Sequence, residues 1–343
     1  MKRGLVLRDP AEVPEQEWRR RIGALQDRLT ADGIDVALVY GDVFRSDDIA
    51  YLTNLCIYWN EGVLAVPATG EPAFLTKLSP RVYPWMRRVS TVEDIRSGRN
   101  FADLVATYLA DHPDAQVGAV DAGLWPESVL RQLTAKLGDR PVRELGGLVR
   151  DLRLAPAAPE VGLLRTAGAL LAEAATASAA PGLGVRQRVS AAERTLRWGG
   201  YLDVLTQPSA TTDGVSSLRI SGQYRTCWLQ AARLSGEAPW TRQLTAALGA
   251  AIGAVRPGAS GAELPAAAAA SLPAGGRLTW VHQADLSTNG EYARPDPAAP
   301  LAEGAVLALA ADVLFDDGGY AVVADTVLVT GAGPETLTEG GAA

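Results

Sequence analysis

Cysteine is scarce in this 343-residue chain: Cys56 and Cys227 are the only two. Neither sits in a CxxC or Cys/His spacing that could hold zinc. Histidine is limited to His112 and His282, and lysine to Lys2, Lys77 and Lys136 among 32 basic residues. Arginine in place of lysine, with abundant alanine and glycine, reads as genomic compositional bias and carries no chemistry. No stretch of about eighteen residues is apolar without charges or Pro/Gly breaks, so no membrane-spanning helix is expected. Met1–Val6 has no apolar core ahead of Arg8-Asp9-Pro10, so no secretory leader is expected and a reduced, cytoplasmic setting is the plain reading. The net charge of −7 lacks the basic excess that displacing counterions from nucleic acid requires. No Ser/His/Asp triad or Walker loop is visible. Gly182-Leu183-Gly184 follows a helical stretch and lacks a third glycine, so it is not a dinucleotide fingerprint.

What is present is ordinary globular sequence, 48% hydrophobic and 21% charged, long enough for two domains. Trp18, Ile22, Leu25 and Leu29 recur at helical spacing within 15–33, and Gly33 is a natural C-cap. Val36-Ala37-Leu38-Val39-Tyr40 reads as a buried strand. The runs 62–67 and 72–76 read as two strands joined by Thr69-Gly70-Glu71. Helix 101–111, strand 116–120, helix 126–137 and strand 142–145 continue an alternation that predicts an α/β layer. A basic, proline-containing stretch, 151–159, predicts a linker between a domain over 1–150 and a second over 160–343. That second domain opens on an Ala/Leu-rich helix from Glu160 to about Ala180. Pro181-Gly182 and Pro257-Gly258 each follow a helix end and precede a further helix and strands, which predicts an internal repeat with approximate twofold symmetry.

Several segments, taken in order, resemble the creatinase/aminopeptidase P family. Asp48-Ile49-Ala50-Tyr51-Leu52-Thr53-Asn54-Leu55 resembles its N-terminal YLTG segment. Arg150-Asp151-Leu152-Arg153 with Pro159-Glu160-Val161 and Leu164-Arg165 resembles its interdomain connection. Gly304 to Leu309 and Ala324 to Thr330 resemble two strands of its catalytic domain, and Glu335-Thr336-Leu337-Thr338 its tail. The resemblance implies a creatinase-type α/β domain followed by a pita-bread domain with pseudo-twofold symmetry, an α/β (α+β) chain as a whole.

Metal-dependent members of that family bind two metal ions with two Asp, one His and two Glu, which generates a hydroxide nucleophile at neutral pH. Carried over residue by residue, the resemblance places the aspartates at Arg219 and Gln230, the histidine at His282, and the glutamates at Ala310 and Ala324. One ligand of five survives, so no metal cofactor and no Xaa-Pro aminopeptidase activity is expected.

The remaining pocket candidates have two readings each. His282 is a proton shuttle or a hydrogen-bonded structural residue. Arg219 and Arg233 bind a substrate carboxylate, or close an internal salt bridge with Asp325 or another acid. Gln230 hydrogen-bonds a ligand or fills the space of the metal, and Trp228 and Trp280 line the pocket. Glu291 stands near the family's HE-x-P segment. Tyr58-Trp59-Asn60-Glu61 packs between domains, or reaches a partner's pocket, as the equivalent loop does in creatinase-like dimers. Two functions follow. One is a metal-independent enzyme acting on a small carboxylate-bearing or nitrogen-rich molecule, by C–N hydrolysis or a lyase or cyclase reaction with His282 as proton shuttle. The other is a non-catalytic, ligand-binding or partner subunit. A homodimer or heterodimer with a related subunit is expected in either case.

Overall fold

The computed structural model describes residues 7–57, 60–287, 296–339 and the backbone of 290–291. The chain divides into two compact units, Met1–Arg153 and Leu154–Ala343. Three parts of the chain take up the predicted linker: the end of a helix, Leu148–Arg153, a four-residue connection, and the start of the next helix at Ala158.

The first unit runs α1 (Glu15–Asp32), β1 (Val36–Gly41), α2 (Asp47–Thr53), β2 (Gly62–Pro67), β3 (Ala73–Thr76) and α3 (Tyr83–Val89). It continues β4 (Asp94–Ser97), α4 (Phe101–Ala110), β5 (Val117–Val120), α5 (Glu127–Leu137), β6 (Val142–Leu145) and α6 (Leu148–Arg153). The strands form one sheet in the order β4-β3-β2-β1-β5-β6, with β2 antiparallel to both neighbours and the other pairs parallel. Every residue of β1 is buried, because the pleat sends Ala37 and Val39 to one core and Val36 and Leu38 to another. Leu25, Ile49, Met86 and Leu148 complete the first core, and Leu104, Val105 and Leu133 the second. Helices on both faces are what a near-continuous hydrophobic strand requires. α1 ends at Gly33 with φ +65°, the left-handed cap that its sequence predicts.

Arg21 is buried in this unit between the rings of Trp18 and Tyr51, 4.5 Å from each centroid. It donates to Glu17 Oε1 at 2.9 Å and to the Tyr51 carbonyl at 2.8 Å. Burial alone would raise the Glu17 pKa, but hydrogen bonds and charge from Arg20 and Arg21 outweigh it and hold the carboxyl below its usual value.

The second unit runs α7 (Ala158–Ser178), α8 (Val185–Trp198), β7 (Asp203–Ala210), β8 (Ser216–Tyr224), β9 (Cys227–Ser235), α9 (Pro239–Gly253) and α10 (Glu263–Ala268). Then follow β10 (Gly276–His282), two short strands β11 (Leu286–Ser287) and β12 (Gly290–Glu291), β13 (Val306–Leu314), β14 (Tyr320–Thr330) and β15 (Gly333–Thr336). The main sheet has the order β10-β13-β14-β9-β8-β7, with β15 paired to β14. Read from its centre, β9-β8-β7 on one side mirrors β14-β13-β10 on the other, the pseudo-twofold order that the Pro-Gly repeat predicts. The repeat is visible in the backbone as well: Gly182 and Gly258 end the two equivalent helix connections with φ +78° and +79°. Only glycine adopts that conformation at no steric cost.

Alternate residues of the strands build two faces. Ile220, Leu229 and Ala231 pack with Leu164, Ala167 and Leu196 of α7 and α8. Leu307, Leu309 and Val323 pack with Leu244, Ala247 and Leu264 of α9 and α10. The opposite face carries the other alternate residues: Ala232, Ala310, Val322 and Ala324 are buried there with no residue of α7 to α10 in their cluster.

Candidate functional site

The cross-strand register draws one continuous row across that open face, open in that none of α7 to α10 joins its central cluster. Gln207 of β7 pairs Arg219 of β8, Arg219 pairs Ala232 of β9, and Ala232 pairs Ala324 of β14. Ala324 pairs Ala310 of β13, and Ala310 pairs Thr279 of β10. The row therefore reads Gln-Arg-Ala-Ala-Ala-Thr, and its centre holds no donor atom beyond backbone. Ala310 and Ala324, placed by resemblance at the two glutamate positions, are direct neighbours. Gln230 lies one pleat from Ala232, so Arg219 and Gln230 lie on the same face.

Gln230 is held in place. Its Nε2 donates to Ser221 Oγ at 3.1 Å. Thr326 Oγ1 accepts from the Gln230 backbone N–H at 2.9 Å and donates to its carbonyl at 2.8 Å, so one hydroxyl replaces a rung of the ladder between β9 and β14. Arg219 reaches from β8 toward β14, where its Nη2 lies 3.5 Å from the Tyr320 hydroxyl. Among the described residues Arg219 has no acidic partner, and its Nε is buried without an acceptor. Burial pushes the Tyr320 phenol above its usual value, partly offset by the Arg219 charge, so it stays a neutral hydroxyl at neutral pH. One pleat from Ala310, Asp312 accepts from Arg277 Nε at 2.9 Å.

Four of the expected pocket residues do not line this row. Trp228 shares the face of Gln230, but it is fully buried, packed with Val281, Leu286 and Ala308, so it is core and not lining. Trp280 lies on the helix-covered face with the core of α9 and α10, pressed on Gly261 so closely that a Cβ there would meet its ring at 2.2 Å. His282 is two residues on from Trp280, on the same side, with its ring centroid 5.5 Å away. The pleat thus separates His282 from Arg219 and Gln230, because residues i and i+2 of a strand share a face. Arg233 takes the salt-bridge reading: it donates to Asp325 Oδ1 at 2.8 Å, to the Thr338 carbonyl at 2.6 Å and to the Ala324 carbonyl at 2.9 Å. Burial pushes the Asp325 carboxyl up, opposed by the Arg233 charge.

Asn60 accepts from the Glu61 N–H at 2.8 Å within the first unit. Tyr58 and Trp59 lie outside the described residues, as does the side chain of Glu291, whose backbone pairs with Leu286. Sequence reasoning missed Tyr320 and Thr279. The alternation of small residues at Ala308, Ala310 and Ala324 is the signal that could have marked this face as a floor.

Residues 21–155 match the creatinase/prolidase N-terminal domain. The Xaa-Pro dipeptidase from Bacillus anthracis superposes with a TM-score of 0.74 at 16% identity, over 94% of this chain and 98% of that one. The chain has the creatinase/prolidase fold. The X-Pro aminopeptidase from Thermotoga maritima superposes on this creatinase/prolidase-fold chain with a TM-score of 0.73 at 15% identity, covering 92% and 97%. Dipeptidase PepE from Mycobacterium ulcerans superposes with 0.69 at 22% identity, covering 94% and 95%. No curated protein matches the chain in sequence.

The metal pair that the resemblance implies does not fit these residues. Alanine offers no ligand atom, Arg219 sets a positive charge where cations would sit, and His282 faces away. Among the described residues no three of His, Cys, Asp and Glu are grouped as a metal cluster. No described helix is long and apolar enough to cross a membrane.

Proposed function

We propose that this chain is a creatinase/prolidase-fold protein without metal-dependent peptidase activity that binds a small polar, carboxylate-bearing molecule on the open face of its C-terminal sheet. The observation that carries this reading is the row Arg219-Ala232-Ala324-Ala310, a guanidinium beside a floor of methyl groups. Peptide hydrolysis needs a nucleophile stronger than bulk water, and the residues of this row have no means to make one. A carboxylate beside Arg219 needs no metal. The separation of His282 from Arg219 favours the binding reading over a His282-driven hydrolysis or lyase reaction.

The test is a pair of measurements on the purified protein. The dipeptide glycyl-proline should raise the melting temperature in a saturable way, in His282→Ala as in the wild type. It should not be cleaved, with or without added manganese. Chelator-sensitive cleavage would reject the reading. We further propose a dimer, with an identical or a related subunit, on the composition of Tyr58-Trp59 alone. Light scattering that finds a monomer at high concentration, with no partner recovered from the native source, would reject that.

A further inference from the structure

The open face carries a charge imbalance at its centre. Around Arg219 the row is neutral: Gln207, Ala232, Ala324, Ala310 and Thr279 bring no charge. The acid one pleat away, Asp312, is paired with Arg277. A partly buried guanidinium without a counter-charge is unfavourable, and a bound anion relieves it. Its planar fork suits two oxygens of one oxyanion, and the buried Nε–H has no acceptor of its own. Tyr320 supplies a second kind of donor, a neutral hydroxyl 3.5 Å from Arg219 Nη2. The alanines bring no carboxylate, and Asp312, whose charge reaches Tyr320, is countered by Arg277 at 2.9 Å.

We propose that Arg219 and Tyr320 form an oxyanion receptor over the floor of Ala232, Ala324 and Ala310, which takes the carboxylate or phosphate group of a small ligand. This rests on the reading that the open face binds a small polar molecule, and it names the chemistry of recognition. The resemblance sets Arg219 at a position it gives to a metal-binding aspartate; in this proposal the cation of the site is a side chain and the anion is the ligand.

Calorimetric titration with acetate, methyl phosphate and the neutral isostere acetamide tests the proposal at low ionic strength. At least one anion should bind saturably and acetamide should not. Acetate alone identifies a carboxylate site, and methyl phosphate alone a phosphate site. Arg219→Gln should weaken binding about tenfold or more, the scale of one hydrogen bond to a charged group. Tyr320→Phe should weaken it less, with an unchanged melting temperature as the control for folding. If Arg219→Gln does not fold, Tyr320→Phe and Arg219→Lys, which keeps the charge but loses the fork, carry the test. Absence of binding by both anions, or binding that survives Arg219→Gln, overturns the proposal. In that case glycyl-proline separates the two levels. Its saturable binding to Arg219→Gln as to the wild type would leave the proposed function standing without this receptor, and its failure to bind the wild type would remove both.

Discussion

Ala232 and Ala324 face each other where the two halves of the C-terminal sheet meet, and both are fully buried. With Ala310 beside them they form a closely packed floor, with the Tyr320 side chain against it. Ala324→Leu should therefore overpack the floor and cost about 1–3 kcal/mol. Urea denaturation measures this directly, and an unchanged midpoint would mean that the floor has room to spare.

Arg233 ties β9 to β14 and to the segment after β15 through Asp325 and the Thr338 carbonyl. Its side chain is 23% exposed and that of Asp325 13%. Arg233→Ala should cost about 2–4 kcal/mol, below the cost of breaking a fully buried pair because solvent reaches one partner. Oxyanion binding should be unchanged within about twofold, since a side chain already bound to Asp325 is not a ligand group. A large loss of binding at unchanged stability would restore Arg233 to the site.

In the first unit, Glu17 predicts an acid-sensitive stability. Its folded-state pKa is depressed, so the carboxylate contributes stability that is fully present above the unfolded value of 4.5. That contribution is lost as pH falls through the folded value. Glu17→Gln should flatten the dependence in this window. It should also cost about 2–4 kcal/mol at pH 7, because it removes the carboxylate from the fully buried Arg21. Denaturation midpoints measured from pH 7 down to about pH 3 check both effects. A parallel loss in wild type and variant would assign the acid sensitivity to other groups.

Much of this was legible in the sequence, for identifiable reasons. Gly33, the run Val36–Tyr40 and the turn at Thr69-Gly70-Glu71 are local signals, and each element formed within a residue or two of its expected bounds. The repeat was legible because glycine at Gly182 and Gly258 meets one and the same backbone requirement. The site was legible only in part. Ala310 and Ala324 were placed at the two glutamate positions because their strands resemble known segments, and the register makes them neighbours. Within β10 the alternation of Thr279 and Val281 with Trp280 and His282 is plain, but which pair shares a face with Arg219 depends on register across five strands. That register is fixed by tertiary packing, not by local pattern. Tyr320 escaped because it is 101 residues from Arg219, and nothing local joins them.

The central proposal is that this chain lacks the metal ligands which the resemblance implies, and metal content tests it most directly. The protein should be produced with manganese, cobalt, iron and zinc supplied, dialysed without chelator, and assayed by elemental analysis. The account predicts far less than stoichiometric metal, because Arg219, Gln230, Ala310 and Ala324 leave no set of ligand atoms on the open face. Stoichiometric metal that survives dialysis, and is lost in a His282→Ala variant that still folds, would contradict it.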